Sequence, residues 1–194
     1  FRSNLVPSLL TQLQDYASGS ANEPVQQVAY TPADELRMED RVLALTSLFQ
    51  ANPDRLIARY PRYQELYERY AAAEYNAARA LPFFQTQDFT DLQVLSQLAW
   101  FDEYALSRHA QVRALAERGR NFTLADQKTL YARQQALLAR IVPAYRESSE
   151  RGQVELSTSP FYHPILPLLC DTECAREPHP RSEEHTSELQ SHSF

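Results

Sequence analysis

Apolar residues recur at helical spacing through most of this chain, and alternate at a spacing of two only near its ends. Residues 1–6 are short and apolar enough for the end of a strand. Pro7 suits the first turn of the helix that follows, where a missing N–H costs nothing. Leu9, Leu10 and Leu13 give that helix an apolar side, and residues 18–22 read as a loop. Thr31 predicts an N-cap, with Pro32 at the first helical position and Asp34 and Glu35 in the first turn. Leu36, Leu43, Leu45 and Leu48 then fall near one side. Asn52-Pro53 repeats the cap-then-proline signal. Pro61 opens a helical stretch carrying Tyr63, Leu66, Tyr67 and Tyr70, which Leu81-Pro82 ends. These tyrosines suit either packing between helices or stacking on sugar rings, and their helical spacing favours packing.

Thr90 predicts another cap, ahead of Leu92, Leu95, Leu98 and Phe101, with Trp100 beside them. Gly119 fits the left-handed residue that follows a helix. Thr123 and Asp126 form a near capping box for a long helix bearing Leu130, Leu137, Leu138, Ile141, Val142 and Tyr145. Pro143 predicts a kink or division in it. Gly152 stops this helix, and residues 153–158 alternate with β-forming side chains, which predicts a strand. Ser159-Pro160 ends the strand, Phe161-Tyr162-His163-Pro164 reads as an aromatic loop, and residues 165–169 form an apolar run. A barrel small enough to fill its interior needs around eight strands. Two strand signals about 150 residues apart cannot close one. The expected class is therefore α/β, with a large helical insertion (about 31–150) between early strands.

Composition agrees with this. Hydrophobic residues make up 43% of the 194, enough for a core, and only 3 are glycine, which suits helices. No run approaches the roughly 18 apolar residues of a membrane span, so no membrane partner is expected. The net charge of −6 argues against nucleic acid, since phosphate binding needs clustered Lys and Arg. Cys170 and Cys174, with His163 and His179 nearby, could be imagined around zinc. Their spacing is looser than structural zinc sites use, so neither metal nor cofactor is expected. Residues 181–194 lack apolar periodicity, and the run from Arg181 to His192 resembles translated sequencing adapter. They are expected to be foreign, with native sequence over 1–180. Neither end reads as a natural terminus, and the cytoplasm is the default compartment.

Several stretches resemble glycoside hydrolase family 57, in its amylase and amylopullulanase-like branch. They are Asn4-Leu5-Val6-Pro7-Ser8-Leu9-Leu10, Tyr60-Pro61-Arg62-Tyr63, Asp91-Leu92-Gln93-Val94 and Leu98-Ala99-Trp100-Phe101. The fullest is Gly152-Gln153-Val154-Glu155-Leu156 with Pro160-Phe161-Tyr162-His163-Pro164-Ile165-Leu166-Pro167, similar to the family's second conserved region. The resemblance implies an incomplete seven-stranded (β/α) barrel that acts on α-glucans or malto-oligosaccharides by retention. Retention needs two carboxyl groups about 5–5.5 Å apart. In the family these are a Glu in a later Trp-containing motif and a still later Asp. Neither motif occurs here, and the single Trp, Trp100, lies in the helical insertion. The family's opening His-Gln-Pro motif is also missing.

The resemblance places Glu155 and His163 beside the substrate, and no catalytic residue in this chain. Glu155 is expected at the end of its strand, where barrel sites gather; an exposed strand Glu is the plain reading. His163 either lines the pocket or bonds its own loop. Asp171 has nothing beyond a loop or capping role to mark it. The chain is thus expected to be an inactive piece of a larger enzyme, poorly soluble because its strand edges lack neighbours. Two other readings stand: a non-enzymatic helical interaction module, and a glucan-binding relative without catalytic carboxylates.

Overall fold

The computed structural model describes residues 1–162 together with Cys170 and Asp171. The order is β1 (Arg2–Leu5), α1 (Pro7–Ser18), α2 (Pro24–Tyr30), α3 (Met38–Ser47), α4 (Pro61–Ala72), α5 (Ala77–Ala80), α6 (Thr86–Leu98), α7 (Glu103–Arg108), α8 (Ala110–Arg118), α9 (Leu124–Glu150) and β2 (Glu155–Thr158). A π-helical turn, Pro53–Ile57, precedes α4, and a 3-10 turn, Leu81–Phe83, precedes α6. The architecture is mostly helical with a small parallel sheet, compatible with a piece of an α/β fold.

The chain divides into two compact units, Leu13–Pro143 and the two ends, Phe1–Gln12 with Ala144–Phe194. In the first, α6 is the central element. Nine of its thirteen residues are buried, among them Phe89, Leu92, Val94, Leu95 and Leu98. A helix buried on every side must be apolar all round or must supply partners for each polar group it hides. α6 largely takes the second course: Asp88 and Asp91 go inside fully partnered, and Gln93 does so with its amide N–H groups bonded and its Oε1 without a partner among the described residues. Around it, Leu45, Ile57, Tyr63, Leu66, Phe122 and Leu130 complete the core. Fully burying a side chain such as Leu92 stabilises by roughly 1.5–3 kcal/mol.

The tyrosines of α4 resolve as packing. Tyr63 and Tyr70 are buried, and Phe49 stacks near-parallel on both, with ring centroids 5.7 and 5.4 Å away. The Tyr63 hydroxyl donates to the Leu48 carbonyl and that of Tyr70 to the Tyr75 carbonyl at 2.8 Å. Tyr67 meets Phe49 edge-on at the margin of this cluster.

Several local expectations hold. Pro7 and Pro61 each begin a helix. The Asn52 side chain accepts the Arg55 N–H at 3.0 Å. Gly119 follows α8 at φ +65°, and Gly152 follows α9 at +68°. Others need correction. Thr31 does not open a helix; it closes α2, donating its N–H to the Gln27 carbonyl, and the next helix starts only at Met38. Thr90 is no cap either, since it lies within α6 and bonds back to the Thr86 carbonyl at 3.2 Å. The true start is Gln85, whose N–H donates to Asp88 at 2.7 Å. Pro143 does not divide α9, which runs unbroken from Leu124 to Glu150.

The second unit holds the sheet. β1 and β2 pair in parallel with Arg2 opposite Glu155 and Leu5 opposite Thr158. The closed barrel is not among the described residues, where two strands form one two-stranded sheet.

Candidate functional site

Glu155 opens β2 rather than ending it, which corrects the expectation that its carboxylate stands at the strand's C-terminal end. It faces its register partner Arg2. The guanidinium Nη2 lies 2.9 and 3.0 Å from the two carboxylate oxygens, and Nε lies 3.1 Å from one of them. This forked geometry fixes the carboxylate's plane, as arginine does wherever orientation matters. Both side chains are about two-thirds exposed (71% and 66%), so the pair adds little stability and leaves carboxylate surface open to a ligand.

The C-terminal end of the pair carries residues that sequence reasoning passed over. The Asn4 amide donates to the Ser159 hydroxyl at 2.8 Å and accepts from Ser157 at 3.3 Å. The Thr158 hydroxyl donates to the Leu5 carbonyl at 2.8 Å. Just beyond, Phe161 and Tyr162 meet edge to face at 5.0 Å, with Tyr162 almost wholly exposed. A short polar strand end followed by exposed aromatics has the composition of a sugar contact. The signal in sequence was the alternation of residues 153–158, which puts Ser157 and Glu155 on one face. Asn4 stood in one of the family-like stretches, but its bond across the strands carried no signal, because its partner is 155 residues away.

His163 lies outside the described residues, as do Cys174, His179, residues 165–169 and the stretch 181–194. Cys170 is exposed and unbridged. Among the described residues there is no group of three or more His, Cys, Asp or Glu able to hold a metal, and no helix long and apolar enough to cross a membrane.

The strongest electrostatic feature lies within the helical unit. Arg62, with only 10% of its side chain exposed, reaches three carboxylates. Its Nε donates to Asp91 at 2.9 Å, one Nη contacts Asp88 and the other Glu65. Arg69 adds a second cation to Asp88 at 2.9 Å. Burial acts to lower the Arg62 pKa, but hydrogen bonds to Asp91 and Asp88 outweigh it and raise the value. Asp91 also accepts the Phe122 N–H and the Gln87 amide, each at 3.0 Å. Every carboxylate here is spent on arginine or on a backbone N–H, which makes the cluster a latch between α4 and α6 and gives it no free acid or base. Gln93 does similar work, donating to the Val28 carbonyl at 2.6 Å and the Thr31 carbonyl at 2.8 Å. Two of the short stretches picked out in sequence, Tyr60-Pro61-Arg62-Tyr63 and Asp91-Leu92-Gln93-Val94, thus meet in space through Arg62 and Asp91.

A strand pair joined through a helical body, with an exposed carboxylate at the start of β2 and exposed aromatics beyond its other end, is compatible with part of an α/β fold. The comparisons make this specific. The model of glycosyl hydrolase family 57 matches residues 21–193, and the chain belongs to that family. No curated protein and no solved structure matches it. The parent activity is therefore of glycoside hydrolase type, with a carbohydrate substrate.

Proposed function

We propose that this chain is part of a retaining glycoside hydrolase or transglycosylase acting on α-glucans, with Glu155 and His163 in contact with the sugar. The observation that carries this reading is the open carboxylate of Glu155, held in plane by Arg2 on the neighbouring strand, within the family's stretch Gly152-Gln153-Val154-Glu155-Leu156. An oriented carboxylate accepts hydrogen bonds from two sugar hydroxyls, and the aromatic pair beyond β2 supplies a stacking surface. The catalytic Glu and Asp belong to other motifs, so the chain alone is expected to turn nothing over. The seven-stranded barrel and the foreign origin of residues 181–194 are part of the same proposal.

Two measurements test it. Sequencing the gene across the junction of residues 180 and 181 is expected to reveal further βα units with a Trp-linked Glu and a later Asp. An uninterrupted frame without them overturns the reading. Incubating the chain with malto-oligosaccharides is expected to release no sugar beyond a Glu155→Gln control, and turnover above that control overturns the inactivity. A second reading, a helical interaction module, draws support from the core that Leu13–Pro143 builds for itself.

A further inference from the structure

The two strands sort their side chains by face. Successive residues of a strand point to opposite sides, and register partners in a parallel pair point to the same one. Arg2 and Asn4 of β1 are exposed while Ser3 and Leu5 are half-buried. Arg2, Asn4, Glu155 and Ser157 therefore share one open face. That face is wholly polar and has two levels. Arg2 and Glu155 open their strands and form the lower one. Asn4 and Ser157 lie two residues further on, about 6.6 Å nearer the C-terminal end. In α/β enzymes ligands gather beyond the C-terminal ends of parallel strands. The end of this face belongs to Asn4, one level above the carboxylate on which the proposed function rests.

The Asn4 amide is held in place without being used up. An amide side chain carries two N–H donors and two acceptor lone pairs. Nδ2 gives one hydrogen to the Ser159 hydroxyl at 2.8 Å, and Oδ1 accepts one bond from the Ser157 hydroxyl at 3.3 Å. The side chain makes no other bond among the described residues, so one donor and one lone pair of an exposed amide face water. Bonded at both ends, the amide cannot turn without losing a partner. Its free donor and acceptor lie side by side in one plane, which suits two neighbouring hydroxyls of a sugar ring, each able to give and to accept. No charged side chain belongs to this upper level, which favours a neutral ligand over an ion. Phe161 and Tyr162 follow at 45% and 89% exposure and offer the apolar ring surface that a pyranose face packs on.

We propose that Asn4 is a sugar-contacting residue of this site, its free amide N–H and carbonyl lone pair binding two neighbouring hydroxyls of one pyranose. Ser157 and Ser159 are positioning residues that hold the amide plane. The proposal deepens the α-glucan reading above and rests on it for the linkage. The contact itself rests on the strand register and on the bonds of Asn4. The sugar then sits at the end of the strands, and Glu155 reaches it from the level below.

A proton–nitrogen NMR titration of the full chain with maltoheptaose tests this. The backbone amide signals of Asn4, Ser157 and Ser159 are expected to shift saturably. Asn4→Ala is expected to weaken the apparent affinity about fivefold, the worth of one neutral hydrogen bond. Asn4→Asp, which keeps the Ser157 bond but has no amide hydrogen, is expected to weaken it similarly. Ser3→Ala, on the other face, is expected to leave it unchanged. Thermal unfolding by circular dichroism on the same samples separates contact from scaffolding. A residue that only joins the strands lowers Tm and leaves the affinity of the folded chain as it was, and that result overturns the proposal. Absence of a saturable shift overturns it too, while sequencing of the gene still decides the parent activity. Glu155→Gln, run in parallel, keeps the two contacts apart. Affinity lost in Glu155→Gln alone overturns the contact at Asn4 and keeps that at Glu155. Affinity lost in the Asn4 variants alone supports the contact at Asn4 and overturns the role proposed for Glu155.

Discussion

Replacing Arg62 by methionine removes the one cation that Asp91 contacts among the described residues. Asp91 has no exposed side-chain surface, and Asp88 has 9%. Methionine fills most of the volume of the arginine stem, so the main loss is electrostatic. Removing one partner of a buried ion pair costs about 3–5 kcal/mol, because the other charge stays buried without compensation. Here the lower end applies. Asp88 keeps Arg69 and the Gln85 N–H, and Asp91 keeps two neutral donors. We therefore expect about 3 kcal/mol, which for a chain of this size lowers Tm by roughly 6–12 °C. Urea unfolding of the full chain by far-UV circular dichroism measures it. Adding Asp91→Asn to Arg62→Met is expected to recover part of the loss, a non-additive result characteristic of direct partners. A single variant within 1 kcal/mol of the parent, or strictly additive changes, refutes the latch.

Three further predictions concern helix ends. Gly119→Ala is expected to cost about 1 kcal/mol in thermal unfolding; the added methyl meets only the Ala116 carbonyl at 3.7 Å, so the cost lies in the left-handed backbone. Thr123→Ala removes the cap of α9 and is expected to cost about 1 kcal/mol in the same assay. Burial pushes the Asp126 pKa up, but bonds from the Thr123 hydroxyl and N–H and from Arg118 outweigh this, leaving it below its usual 3.8. Its stabilisation is therefore complete above that value and lost as pH falls through the depressed one. Asp126→Asn should unfold at lower urea than the parent at pH 7 and converge with it in acid, below the usual carboxylate range. A gap that persists at low pH counts against this account.

What was legible in the sequence was local. Proline at the first helical position, glycine after a helix and the Thr123–Asp126 box each work through neighbours a few residues away, and each is found. The misreadings at Thr31 and Thr90 share a cause: a threonine hydroxyl satisfies a backbone N–H at a helix start, or turns back on a carbonyl within or at the close of a helix. Composition does not separate these roles. Glu23 and Gln85 begin α2 and α6 without being favoured capping types, so α2 went unseen. The buried polar cluster was beyond reach for another reason. Arg62 and Asp91 are 29 residues apart, and each alone resembles a surface charge. Likewise, Glu155 was visible as a carboxylate on a strand, but its position at the strand's start and its pairing with Arg2, 153 residues away, depend on register.

That register has a consequence for how the molecule assembles. Neighbouring parallel strands need a crossover of only a dozen or so residues, yet here the whole helical unit stands between Leu5 and Glu155. As a slack loop, lengthening the link from about 12 to about 150 residues would add roughly 2 kcal/mol of closure entropy. A body that folds early from short-range helical contacts removes most of that charge, because its ordered chain replaces the slack. Strand pairing is then expected to come last in refolding, at a rate that follows the integrity of a core to which neither strand belongs.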